Sequence, residues 1–186
     1  MTNDMRKWMS KGGRIFLKEI GIKRGQTVLD FGCSVGNYSI PSALVVGEKG
    51  KVYAVDKNKK SLDELMQRAK KLGLKNIERI DVSEEIKLAL QKESVDAVLL
   101  YDVIHLVNNR NGLLTEIYRV SKPNALISVY PKHHREHMNM ELDDVKDEVE
   151  SVSFSFEREF YKKLMHDDCL EKGYILNFRK KILCGE

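Results

Sequence analysis

Polar and apolar positions follow one regime through most of the chain and another near its end. Short apolar runs recur at 27–31, 51–56, 76–80, 95–101 and 125–130. Four of the five are continuous, the composition of parallel strands covered on both faces. The run at 76–80 is mixed, which predicts a strand nearer an edge. Helical stripes separate them. Leu62, Leu65, Met66, Ala69 and Leu72 share one face, with Gly73 as a stop. Ile86, Ala89 and Leu90 mark a shorter helix with Ser83 as its cap. Leu113, Leu114, Ile117 and Tyr118 form a stripe before Lys122-Pro123, and Leu142, Val145, Val149 and Val152 form the last.

From Val152 the period becomes two. Val152, Phe154, Phe156 and Phe160 alternate with polar residues, and Tyr174, Leu176, Phe178 and Ile182 do so again. The connection between them, 164–173, is too short for a parallel crossover and favours an antiparallel pair. Ahead of the first strand, one helix carrying Trp8, Met9, Ile15, Phe16 and Ile20 is expected to pack on the sheet or over a bound ligand. The expectation is one α/β domain over 1–186. Residues 1–26 form a helical cap, 27–131 a cofactor-binding half, and 132–186 an acceptor-side half ending in the hairpin.

One stretch gives this layout its chemistry: Val28-Leu29-Asp30-Phe31-Gly32-Cys33-Ser34-Val35-Gly36. An apolar strand ends on a carboxylate, then a small-residue turn opens a helix. The next apolar strand, Val52-Tyr53-Ala54-Val55, ends on Asp56. Strand, glycine turn, helix, strand and acid is how α/β domains hold nucleotide-like cofactors. Gly32 and Gly36 permit close approach and positive φ. Asp56 has the geometry to accept hydrogen bonds from two ribose hydroxyls. Capping of the following helix is its alternative role. Asp30 decides between cofactors. It would repel the pyrophosphate of a dinucleotide and would welcome a cationic, phosphate-free one such as S-adenosylmethionine (SAM), with its ammonium and sulfonium.

On these residues the chain resembles the class I SAM-dependent methyltransferases, whose first motif runs acid-x-Gly-x-Gly-x-Gly. The resemblance extends through Gly47-Glu48-Lys49-Gly50-Lys51-Val52 and through Arg119-Val120-Ser121-Lys122-Pro123-Asn124-Ala125. It departs at Ser34, where the family has its central glycine, and at Pro123-Asn124-Ala125 in place of Pro-Gly-Gly. The resemblance implies a Rossmann-like, doubly wound, mostly parallel seven-stranded sheet with helices on both faces. It also implies a final strand inserted antiparallel in the C-terminal hairpin. It makes Asp30, Gly32, Cys33, Ser34, Gly36, Asp56 and Lys57 cofactor-side candidates, although the run 57–60 also reads as a solvated face. It places Asp81 beside the adenine amino group and the Val82 N–H against a ring nitrogen. Capping of the following helix is the other reading of Asp81. Asp30 is read as a countercharge to the ammonium, through water or directly, or as an organiser of the turn.

Ligands in open α/β sheets gather at the carboxyl ends of the strands. Leu99-Leu100-Tyr101-Asp102-Val103-Ile104-His105 resembles the strand-four motif of methyltransferases of the ubiquinone-biosynthesis type. Tyr101, Asp102 and His105 are therefore the catalytic candidates, with Tyr101 also counted on the cofactor side. His105 would take a proton from the acceptor; packing of the following loop is its alternative. His133, His134 and His137 invite a metal reading, but no cysteine or acid completes a ligand shell. They are read as solvated loop histidines, and no metal is expected.

Composition adds bounds. The chain has 186 residues, 42% hydrophobic and 32% charged, with a net charge of +4. That charge is weak evidence for a nucleic-acid partner. Cys33, Cys169 and Cys184 are odd in number and far apart, which fits a reducing, cytoplasmic setting. The polar start is unlike a signal peptide, and no apolar run is long enough to span a bilayer. Motifs for adenine, amide or cytosine methylation are absent, as are the metal-binding acids of catechol-type enzymes. A small-molecule acceptor and a monomer or homodimer are expected. An RNA or protein methyltransferase, a non-catalytic SAM-binding regulator and a nicotinamide dehydrogenase remain as rivals.

Overall fold

The computed structural model describes residues 2–82, 87–132 and 139–182. Seven strands form one sheet in the order β3-β2-β1-β4-β5-β7-β6. They are β1 (Thr27–Phe31), β2 (Lys51–Asp56), β3 (Ile77–Asp81), β4 (Val95–Tyr101), β5 (Ser121–Tyr130), β6 (Phe154–His166) and β7 (Cys169–Lys180). The first five are parallel, and β7 pairs antiparallel with both β5 and β6. This is the expected doubly wound sheet with an inserted final strand. The mixed strand β3 is indeed at an edge. Strand β5 starts earlier than the apolar run, because Ser121 pairs with Val95 ahead of a bulge. Asn124 supplies the left-handed residue there, with φ 62°.

The helices are α1 (Asn3–Lys7), α2 (Gly13–Ile20), α3 (Ser39–Val46), α4 (Lys59–Lys71), α5 (Arg110–Val120) and α6 (Leu142–Ser151). Alternate residues of each central strand feed two separate cores. Val28, Ala54, Ala97 and Leu99 pack with Phe16, Leu17, Ile40, Leu62 and Leu65 on one face. Leu29, Val55, Val98 and Leu100 pack with Leu113, Ile117, Val145 and Val149 on the other. Two-sided burial is why these strands read as continuous apolar runs.

The N-terminal helix is less simple than its stripe. A π-helical turn, Trp8–Gly12, joins α1 to α2. It shifts the buried face, so Leu17 packs inside while Ile15 is exposed. The expected helix from Ser83 falls partly outside the described residues, and its described end, 87–90, is irregular. The hairpin is longer than the alternation suggested. Its register runs without a break from Arg158↔Asn177 to His166↔Cys169, and only Asp167 and Asp168 turn the chain. Asp167 takes φ 49° there, a conformation that Asp tolerates.

Candidate active site

The carboxyl ends of β1 and β4, where the sheet order reverses, frame the site. Residues 32–36 leave β1 as a tight loop. The N–H groups of Gly32 and Cys33 donate to the Val55 carbonyl at 2.8 and 3.0 Å, holding the loop against β2. Gly32 takes φ 76° and Gly36 φ 88°. A Cβ on Gly32 would lie 2.5 Å from Val103 Cγ2, so the position requires glycine twice over. Ser34 also takes a left-handed φ, of 47°. Its N–H donates to Asp56 Oδ2 at 2.7 Å, which holds the exposed serine in a conformation it would otherwise avoid.

Asp56 accepts a second N–H, from Asn58, at 2.8 Å on its other oxygen. A carboxylate has about four lone-pair sites, so each oxygen retains one for an outside donor. Lys57 beside it is exposed. Asp30 lies under the loop, 2% exposed, and accepts the Ser39 hydroxyl at the start of α3. Burial pushes its pKa up to about 7, against the lowering effect of Ser39, and the charge of Asp56 adds to the rise. Burial likewise pushes up the thiol of Cys33, with Asp30 and Asp56 adding to it.

At the tip of β3, Asp81 is gripped by the Arg79 guanidinium at 2.6 and 3.1 Å, and Arg79 also binds Asp63. That pairing holds the Asp81 carboxyl below its usual range. The Val82 N–H donates to the Asp56 carbonyl at 3.2 Å. The group that the resemblance assigned to an adenine ring nitrogen is thus already bonded across β2 and β3.

The acceptor-side candidates separate. Tyr101 is buried in a row of aromatic rings, 4.5 Å from Tyr38 and 6.4 Å from Tyr130 between centroids. Its hydroxyl lies 2.7 Å from Ser128 Oγ. Burial pushes its pKa far up, which keeps the hydroxyl protonated. His105 sits half-buried on the single turn Ile104–Leu106. Asp102 takes a left-handed φ of 56° at the tip of β4. Its Oδ1 is 2.9 Å from Nδ1 of His166, a residue the sequence reading did not single out. Burial lifts Asp102 to about 6, and His166 opposes the shift. Asp102 in turn raises the pKa of His166. Glu171 and Tyr130 complete the corner, joined at 2.8 Å, with Lys132 2.8 Å from the same Glu171 oxygen. The only signal for this corner was the period-two pattern, had it been followed through Leu164 and His166 to the turn pair Asp167-Asp168. His133, His134 and His137 lie outside the described residues, as do Ser83, Ile86 and Cys184.

Comparison with known proteins supplies the family. A family model described as a methyltransferase domain matches residues 22–174. The chain belongs to the class I SAM-dependent methyltransferase family. Among solved structures, a SAM-dependent methyltransferase from Aquifex aeolicus superposes with a TM-score of 0.79 at 26% identity, covering 96% of this chain and 100% of that one. A demethylmenaquinone methyltransferase from Oceanobacillus iheyensis is 30% identical over 111 residues, 60% of this chain and 46% of the relative. The probable cobalt-precorrin-6B C(15)-methyltransferase of Saccharolobus solfataricus is 34% identical over 85 residues, 45% of this chain and 43% of the relative. The matched regions therefore span less than half of these two curated relatives. Among the described residues, no helix is long and apolar enough to cross a membrane.

Proposed function

We propose that this family member transfers a methyl group from SAM to a small-molecule acceptor. The observation that carries the reading is the lock between loop and strand tip: the Ser34 N–H on Asp56, with Asp30 buried beneath. It leaves a carboxylate with spare acceptor sites for ribose hydroxyls beside a loop closed to bulky residues. Asp30 supplies a negative charge on the side where the methionine ammonium would lie. Burial raises its pKa in the empty site, and a bound ammonium would favour ionisation and draw it back down. Asp81 would share its oxygens between Arg79 and the adenine amino group. SAM, when bound, supplies an electrophilic methyl on a sulfonium. Transfer is then an in-line displacement, and the protein contributes alignment and exclusion of water.

Two observations support a small, uncharged or cationic acceptor over RNA. Among the described residues, the tip of β4 is ringed by Asp102, Asp167 and Glu171, with Lys132 paired to Glu171. A polyanion would meet repulsion there. The relatives named above carry small-molecule names, a quinone and a precorrin.

Calorimetry with SAM, S-adenosylhomocysteine and NADH tests the reading. The first two are expected to bind and NADH is not. Asp56→Ala is expected to weaken SAM by about 2 kcal/mol, the scale of hydrogen bonds to a charged group. Unchanged affinity would displace the ribose from Asp56. Binding without methyl transfer to any acceptor class would instead make the chain a SAM-binding regulator.

A further inference from the structure

We propose that His166 is the proton acceptor of the methyl transfer, that Asp102 positions it, and that the acceptor is a neutral aromatic or enolic hydroxyl. The proposal rests on the SAM reading above. It begins with an imidazole that the sheet has no evident use for. His166 is 8% exposed, and among the described residues its Nε2 has no hydrogen-bond partner. A buried polar nitrogen left so is costly unless something else meets it. The opposite nitrogen, Nδ1, lies 2.9 Å from Asp102 Oδ1, an ion-pair distance at which the angles of a formed hydrogen bond are not yet met. A carboxylate there holds the proton on Nδ1 and leaves a lone pair on Nε2.

The position is built. Asp102 is at the tip of β4 in a left-handed conformation, an expense of order 1 kcal/mol for a residue with a side chain. Its own N–H continues the ladder to the Tyr130 carbonyl at 3.0 Å. The hairpin end that carries His166 is pinned to the segment leaving the cofactor loop. Asn37 Nδ2 donates to the Asp167 carbonyl at 3.1 Å, and the Tyr38 hydroxyl donates to the Met165 carbonyl. From the N-terminus, the Thr2 hydroxyl donates to the Asp168 carbonyl at 2.9 Å, while Asp4 accepts the Leu170 N–H at 3.1 Å. Loop and imidazole are therefore held by one set of contacts.

The surroundings select the acceptor. Among the described residues, the groups facing His166 are Asp102 just past β4, Asp167 from the turn (Oδ2 3.9 Å from Nε2), Glu171 from β7 and the Tyr130 ring from β5 at 6.1 Å. Tyr38 at the start of α3 adds a hydroxyl committed to Met165, and Lys132 is committed to Glu171. Acceptors already anionic are repelled here and need no base. A neutral hydroxyl needs one, and an aromatic one suits the Tyr101 and Tyr130 wall. In the step, the O–H bond breaks and its proton goes to Nε2. An oxygen lone pair forms the bond to the methyl carbon, and the carbon–sulfur pair stays on sulfur. The positive charge passes from sulfonium to an imidazolium that Asp102 stabilises.

The test follows transfer of labelled methyl from SAM to 2-naphthol, with benzylamine as the amine probe and calorimetry of SAM in parallel. Wild type is expected to methylate 2-naphthol, with kcat/KM falling as pH drops through the raised imidazole pKa. His166→Gln should remove that limb and lower kcat at least about hundredfold, the usual share of a general base, with SAM affinity unchanged. Asp102→Asn should cost less and move the limb to lower pH, which a merely structural contact would not do. In labelled wild type bound to S-adenosylhomocysteine, 2-naphthol should shift the His166 Nε2 resonance, a readout independent of whether the variants fold. Full activity in His166→Gln, an unmoved limb in Asp102→Asn, no Nε2 shift, or transfer to benzylamine alone would overturn the proposal. So would SAM binding without transfer to 2-naphthol. Absence of SAM binding to wild type would instead overturn the underlying reading.

Discussion

The cofactor loop and the acceptor corner are built on opposite plans. The loop is local: residues 32–36 bond to Val55 and Asp56 on the next strand, and three of the five take positive φ. The corner is assembled from a distance. Tyr130, His166 and Glu171 come from three different strands and Asp102 from just past a fourth, and Thr2 reaches across 166 positions to hold the turn. One region is a conformation that particular residue types permit, and the other is a meeting that the whole fold arranges. Yet each buries one carboxylate whose pKa lies above the usual range, Asp30 at about 7 and Asp102 at about 6.

That shared feature gives the largest expected effect. An acid raised from 3.8 in the unfolded chain holds its proton more tightly when folded. Stability from such a group is greatest at low pH and falls as pH rises through the window between the two values. For Asp30 the window runs from about pH 4 to about 7 and is worth at most ~4 kcal/mol; for Asp102 it closes near pH 6. His166, raised above 6.5 by Asp102, adds a fall of the same sign above that point. Relative to wild type, Asp30→Asn should gain urea resistance steadily from pH 4 to 7. Asp102→Asn should gain between pH 4 and 6 and again above 6.5. Reading differences cancels the opposite slope of carboxyls held low, such as Asp81 and Glu116. A gain that shrinks with rising pH in either variant would mean that its carboxylate is stabilised in its charged form.

The two plans also predict different responses to one added methyl. At Gly32 a Cβ would meet Val103 Cγ2 at 2.5 Å and the residue would keep a φ of 76°. At Gly173, in the corner, a Cβ would meet Tyr130 Cε2 at the same 2.5 Å, but with ordinary backbone. Gly32→Ala therefore carries strain and overpacking together, about 3 kcal/mol. Gly173→Ala carries overpacking alone, about 1–2 kcal/mol. Urea midpoints would rank them. The reverse order would mean that the loop relaxes more readily than the hairpin.

The same contrast explains what was legible. Strand β1, the loop, β2 and the acid at its tip are written in consecutive residue types, so pattern and spacing led directly to the motif. The inserted hairpin was legible as alternation, and its length was not, since Lys162 interrupts the pattern before Leu164 and His166 resume it. Tyr101, Asp102 and His105 drew attention together because 99–105 resembles a strand-four motif, and a motif gives sequence neighbours without their partners in space. In the fold Tyr101 is packed against Tyr38 and Ser128, while the partner of Asp102 is His166, far along the chain. Exposure misled at Ile15, where a π-helical turn upstream rotates the stripe.

The smallest effect asks whether the loop's one departure from its motif is a cost or a function. Ser34 takes φ 47° where glycine would be at ease. A left-handed serine costs about 1–2 kcal/mol, offset by the greater freedom glycine has when unfolded. Ser34→Gly should therefore raise stability by about 0.5–1 kcal/mol. Asn124→Gly, at φ 62° and remote from both regions, is the reference. Asn is at home in that conformation, so its gain should be smaller. The bond to Asp56 comes from the Ser34 backbone and survives the change, so SAM affinity should hold. If affinity falls while stability rises, the hydroxyl itself touches the cofactor, and the loop has exchanged stability for a contact.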